Sequence, residues 1–233
     1  MRDDEIVVYW STPNVGSLRS KEPEEVLKEF SKGKDVNEYG YLRCPAFKDE
    51  LENVFAVKSL FPVKVTCDNG DVTIDNTQDF FNENVLVRGV GSNLISILQG
   101  VYLFTEEPGL EVSQTSAFLD DNHFLRNSIL VPGKMDISSW FRKFEASFHI
   151  SKESNYVDIK AEDVIYYINF HTDKKIKFIR FEWTERLGEL TNMCVSTRDS
   201  KGFVATKLSY FYDIFKRNNM KKKVMEEINK NLF

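Results

Sequence analysis

Histidine and cysteine are both scarce in this chain, three of each in 233 residues, and the scarcity narrows the chemistry available. Cys44, Cys67 and Cys194 stand at wide, unrelated spacings, with no CxxC pair and no Cys/His cluster. A structural zinc site needs four ligands at close spacing, so a knot of that kind is excluded. Three free, mostly buried thiols in a reducing compartment is the simplest expectation. Long apolar runs are missing too. Residues 6–10 form the first apolar stretch, too short for the apolar region of a secretion signal. Nothing approaches the roughly 20 apolar residues that span a bilayer. The expectation is therefore a soluble, cytoplasmic protein with no membrane partner. Internal repeats and low-complexity linkers are absent as well, which favours a single domain over residues 1–233.

Phosphate-cradling glycine loops are lacking. Gly89-Val90-Gly91 begins like a dinucleotide fingerprint, but Leu94 occupies the position of the third glycine and no Lys-Ser/Thr follows. The segment reads as a turn. Excess positive charge is lacking also: the net charge of −5 argues against a general nucleic-acid binder, which must neutralise phosphates.

What is abundant is aromatic surface, with 19 Phe, nine Tyr and three Trp, residue types that suit a pleated, half-buried strand. Strands are expected at residues 6–10, 55–61, 63–67, 72–74, 85–87, 94–104, 110–113, 128–131, 144–150, 156–160, 164–170 and 176–183. The clearest is the run in which Phe144, Ala146, Phe148 and Ile150 alternate with Glu145, Ser147 and His149, the period-2 pattern of a strand with one wet face. Asp68-Asn69-Gly70 marks a tight hairpin. Pro23 and Pro45 open two short helices. After Trp183, Leu208, Phe211, Tyr212 and Phe215 recur at helical spacing, as do Met220, Val224 and Ile228 beyond Asn218-Asn219. The predicted fold class is α+β, mainly β: an antiparallel β-sandwich or jelly-roll-like body over about residues 55–183, with short N-terminal helices and a helical C-terminal tail over about 203–233. The tail's apolar stripe needs a partner, either the β body or another protein or second subunit. A boundary near residues 188–202 is compatible with the pattern.

Candidate chemistry centres on the histidines. His171-Thr172-Asp173 has the H-x-D spacing of an iron site built from two histidines and one carboxylate. That arrangement ordinarily takes its second histidine downstream, and none follows His171. His123 or His149 would have to serve in an unusual order. The plainer reading is a strand-end histidine followed by a polar turn. Asp120-Asp121-Asn122-His123 gathers polar groups between apolar pairs, as a metal or acid–base site does, but equally as a solvated loop does. Glu106-Glu107-Pro108-Gly109 reads as a turn. Lys216, Arg217 and residues 221–223 concentrate positive charge on the C-terminal helices, either for an acidic partner or as a solvated face.

Several segments together resemble a group of uncharacterised bacterial and phage proteins. They are Cys44-Pro45-Ala46 with Asn53-Val54-Phe55-Ala56-Val57-Lys58-Ser59, the strand ending in Asp68-Asn69-Gly70, and Tyr102-Leu103-Phe104-Thr105-Glu106-Glu107-Pro108-Gly109-Leu110. The strands around residues 144–150 and 164–170 extend the resemblance to about residues 41–181. It implies a compact β-rich fold, and a phage origin. Some phage members carry a β-hydroxylase label, which would imply iron and 2-oxoglutarate as cofactors. Two functions follow as expectations: a non-enzymatic binding or structural protein, and an iron- and 2-oxoglutarate-dependent hydroxylase using His171, Asp173 and His123.

Overall fold

The computed structural model describes residues 4–12, 22–32, 43–68, 71–74, 85–89, 92–154, 156–199 and 207–233. In chain order these form β1 (Glu5–Ser11), β2 (Glu24–Glu25), α1 (Val26–Ser31), α2 (Pro45–Glu50), β3 (Val54–Lys58), β4 (Val63–Asp68), β5 (Asp71–Ile74), β6 (Val85–Val87), β7 (Leu94–Phe104) and β8 (Glu111–Thr115). There follow α3 (His123–Arg126), β9 (Ser128–Val131), β10 (Lys134–Asp136), β11 (Lys143–Ile150), β12 (Tyr156–Ile159), β13 (Val164–Phe170), β14 (Lys175–Arg180), α4 (Glu185–Asp199), α5 (Leu208–Arg217) and α6 (Met220–Lys230).

The strands make three sheets: a six-stranded one ordered β14-β1-β7-β11-β9 with β6 also on β7, a five-stranded one ordered β10-β8-β13-β3-β2, and a three-stranded one ordered β12-β4-β5. The expected α+β, mainly β class holds, and these orders do not by themselves establish a jelly roll. β1 and β14 pair parallel, whereas every other described pair is antiparallel. β1 lies between β14 and β7, so the sheet body takes in a strand that begins at Glu5, far ahead of residue 55. β4 and β5 meet with Asp68 opposite Asp71, as a two-residue hairpin requires, and Asn69-Gly70 themselves lie outside the described residues.

One core joins all three sheets. β11 contributes Phe144, Ala146, Phe148 and Ile150, β7 contributes Ile95, Ile97, Val101 and Leu103, and β13 contributes Tyr166, Ile168 and Phe170. β13 is buried almost throughout because both its faces are covered. Its Val164 and Tyr167 turn outward to a second cluster with Val26 of α1 and Leu51 beside α2. Such a strand reads as an apolar run instead of an alternation.

The outer face of the six-stranded sheet is covered by α4, α5 and α6. Phe211, Phe215, Met220, Val224 and Ile228 pack with Tyr102, Phe104, Trp140 and Phe141. The apolar stripe of the tail thus finds its partner in the β body. Each buried Phe contributes roughly 2 kcal/mol by removing its ring from water. α4 occupies the segment read as a boundary: Leu187, Leu190 and Cys194 join this cluster, and Gly188 sits inside the helix. Of the thiols expected to be mostly buried, Cys194 is buried and free and Cys44 is free but exposed; the Cys67 side chain lies outside the described residues.

β7 and β11 do not run in simple register. Phe144 faces Val101 and Ala146 faces Ile97, so three residues of β7 bulge opposite Glu145 alone. The bulge directs the buried Gln99 side chain onto Ser59 Oγ (3.0 and 3.2 Å) and the Leu60 amide (2.7 Å). It also brings β11 so close to Gly100 that a Cβ there would lie 2.0 Å from the Phe144 carbonyl oxygen.

Candidate functional site

The histidines singled out by spacing are each engaged separately. His171 is exposed at the end of β13 with Nε2 3.0 Å from Ser113 Oγ. The turn carrying exposed Asp173 is gripped from beneath by the Asn53 side-chain amide, which donates to the carbonyls of Thr172 (2.7 Å) and Lys174 (3.0 Å). His123 Nδ1 accepts from the Asp158 amide at 3.1 Å, and its ring stacks on Tyr156 at 4.8 Å. His149 is exposed, with Nδ1 3.5 Å from Asn93 Oδ1. Among the described residues no three His, Cys, Asp or Glu side chains are grouped as a bound metal requires. His171 and Asp173 are not brought together with His123 or His149 in this geometry, and the residues present do not fit an iron site.

The acidic cluster has structural employment. Asp120 accepts from the Tyr167 hydroxyl at 2.5 Å, and Asp121 pairs with Arg126. Asn122 caps α3 by accepting from the Leu125 amide at 2.9 Å while donating to the Val164 carbonyl. The segment is a helix cap, more ordered than a solvated loop. Residues 106–109 form the expected turn, with Gly109 at φ +74°. On the C-terminal helices Lys221 donates to the Glu106 carbonyl and Lys222 lies 3.7 Å from Glu226, as on a solvated face. Gly89 is in a positive-φ turn (φ +99°); Val90 and Gly91 lie outside the described residues.

A different place gathers chemistry: the point where the chain changes sheets. β9 runs beside β11 only as far as Val131 opposite Ser147. At Pro132-Gly133 the chain crosses to the other sheet, where β10 pairs with β8. Residues 143–146 of β11 consequently have no strand on that edge among the described residues. The gap is bridged by Gln114 of β8, whose side-chain amide donates to the Glu145 carbonyl at 2.8 Å. What is left is a slot of about 140 Å³ between Arg142, Lys143 and Glu145 on one side and Gln114, Lys134 and Met135 on the other, with Leu208 of α5 beside it.

Its electrostatics are uneven. Lys134 pairs with Glu111 at 2.6 Å, and Glu145 lies 3.9 Å from both Arg88 and Arg142. The Lys143 carbonyl accepts from Arg142 Nε at 3.3 Å, but among the described residues its ammonium makes no hydrogen bond or close ion pair. Burial pushes its ammonium below the ordinary lysine value, with the charge of Glu145 acting against that shift. Tyr102, opposite Lys143, is pushed up to about 12, chiefly by burial and further by Glu145. Arg88 donates to Ser96 Oγ at 2.9 Å, and Ser96 Oγ lies 2.7 Å from Ser147 Oγ. A polar chain therefore runs from Ser147 of β11 through Ser96 of β7 to Arg88, just beyond β6, and reaches the slot through Glu145. Four cations meet two carboxylates here, in a protein that is acidic overall.

Two other concavities are worse candidates. The space by Ser59 and Gln99 is about 30 Å³, room for little more than water. That by Asp120 and Tyr167, about 290 Å³, is lined by groups already paired with one another, including Lys58 with Glu24 at 2.5 Å.

The sequence offered little warning of the slot. Glu145 fell on the wet face of a predicted strand, and only the adjacent Arg142-Lys143 pair hinted at charge. Gln114 and Lys134 reach it through the fold alone.

Fold and site together define an α+β, mainly β protein of three sheets with C-terminal helices, carrying a slot rich in cations at a strand crossing. No family model, curated protein or solved structure matches the chain. Among the described residues, no helix is long and apolar enough to cross a membrane.

Proposed function

We propose that this chain is a non-enzymatic binding protein that accepts a small, anion-bearing molecule in the slot beside β11. The observation that carries the reading is Lys143: a half-buried cation lining a cavity, whose ammonium makes no hydrogen bond or close ion pair among the described residues and feels only the more distant charge of Glu145. A charge partly removed from water without a close counter-ion is costly, and an incoming carboxylate recovers part of that cost. Arg142 and Lys134 add positive charge, Gln114 supplies an amide, and Met135 and Leu208 supply apolar contact, the mixture common to small-molecule sites. The size points to a ligand group about as large as benzene, which a cavity of about 150 Å³ accommodates.

Isothermal titration with benzoate, the neutral benzamide and the cationic benzamidine tests this reading. Benzoate is expected to bind, benzamide at least tenfold more weakly, and benzamidine not at all. Lys143→Met is expected to weaken benzoate about tenfold or more, a loss corresponding to one charge-assisted contact. Equal binding of all three probes, or benzoate binding indifferent to Lys143→Met, overturns the proposal.

A further inference from the structure

We infer that Glu145 is an internal competitor for the slot, a built-in carboxylate that occupies Arg142 until the carboxylate of a ligand displaces it. The inference rests on the reading that the slot binds small anions, and adds to it how the site is kept closed to weak ones.

The geometry of Glu145 is that of a shared group. Its Oε2 lies 3.9 Å from Arg142 Nη2 and 3.9 Å from Arg88 Nη2. The neighbouring slot cation Lys134 holds Glu111 far more closely, at 2.6 Å. Charge-assisted hydrogen bonds form at about 2.7–2.9 Å, so neither guanidinium has captured Glu145 fully. Both slot-side partners are mostly shielded, with 28% of the Arg142 side chain and 25% of the Glu145 side chain exposed. Solvent therefore screens their attraction only in part.

The second cation makes release feasible. Arg88 lies outside the slot lining and is fixed by its bond to buried Ser96, itself held by Ser147. When a ligand carboxylate takes Arg142, Glu145 keeps Arg88, and no carboxylate is left buried without a counter-charge. The exchange moves no proton and breaks no covalent bond. Because the ligand must outcompete a tethered carboxylate, charge alone is insufficient, and ligands that also bury apolar surface against Met135 and Leu208 are favoured.

A double-mutant cycle read by benzoate titration tests the device, using wild type, Glu145→Gln, Arg88→Met and the combined variant. Glu145→Gln is nearly isosteric and removes the competitor, so benzoate should bind several-fold more tightly. Arg88→Met leaves Glu145 only Arg142, so benzoate should bind several-fold more weakly. In the combined variant the effect of Arg88→Met should vanish, a coupling that general loss of structure does not produce. Thermal melts establish that each variant is folded. If wild type binds benzoate and Glu145→Gln binds no more tightly, the competitor is overturned and the slot reading stands. If none of the four binds benzoate, both fall.

Discussion

At the scale of single residues, similar-looking groups carry very different burdens. His123 and His171 were equivalent candidates by type, yet His123 ties α3 to β12 through Asp158 and stacks on Tyr156, whereas His171 is exposed on Ser113. His123→Ala is expected to cost about 1–2 kcal/mol by losing a hydrogen bond and a stacked ring. His171→Ala should stay within ~0.5 kcal/mol, as surface changes do. Urea unfolding of the two variants checks the difference, and equal costs would contradict the assignment. Gly100 is a second such case. Its Cβ position lies 2.0 Å from the Phe144 carbonyl oxygen, backbone that cannot swing aside. Gly100→Ala is expected to destabilise by about 1–3 kcal/mol through overpacking at the bulge.

Lys143 gives a residue-scale pH test. Its folded value is depressed, so between that value and the ordinary 10.5 the unfolded chain binds more protons than the folded one. Stability from this group therefore rises with pH through that alkaline window, and the penalty for burying the ammonium is fully present below it. Lys143→Met is accordingly expected to be more stable than wild type near neutrality, with the advantage shrinking as the pH approaches 10.5. The buried tyrosines act in the opposite sense: Tyr102, Tyr166 and Tyr167 are all raised by burial, and their contribution is lost above pH 10. The difference between wild type and Lys143→Met, measured by denaturant titration across pH, cancels that common background. A gap constant with pH would show that the Lys143 ammonium is not depressed by folding.

At the scale of elements, legibility followed periodicity. β7, β9 and β13 fall at the residues expected from their β-branched and apolar runs, and β11 differs by one residue at its start. α4 was missed because its inward stripe at i, i+3, i+4 and i+7 is Leu187, Leu190, Thr191 and Cys194, half of it not strongly apolar, with Gly188 inside. β10 was missed because it is three residues long and begins just after Pro132-Gly133. α5 was legible from its stripe, and its Phe215 packs against Phe104 and Trp140 at ring separations of 6.1 Å each. Phe215→Ala is expected to cost ~3–5 kcal/mol by opening a cavity under the helices. Thermal unfolding is the check, and a loss below about 1 kcal/mol would mean that α5 does not hold the sheet face.

At the scale of the whole molecule, the candidate site comes from topology. β9 leaves one sheet for the other at Pro132-Gly133, Gln114 bridges the gap from 31 residues away, and among the described residues the first half of β11 has no strand on that edge. No local pattern around Arg142, Lys143 or Glu145 encodes that vacancy, because it depends on where three distant strands end. The H-x-D spacing was legible and led elsewhere: local spacing can suggest ligands, but only the fold brings a set together.

The central claim is that this slot is the binding site, and two-dimensional amide NMR of the labelled protein titrated with benzoate tests it most directly. Saturable shifts are expected to concentrate at Gln114, at residues 133–135 and at residues 142–145, with Leu208 affected and the exposed His171–Asp173 turn unmoved. Saturable shifts centred elsewhere, or none at these positions, would contradict it.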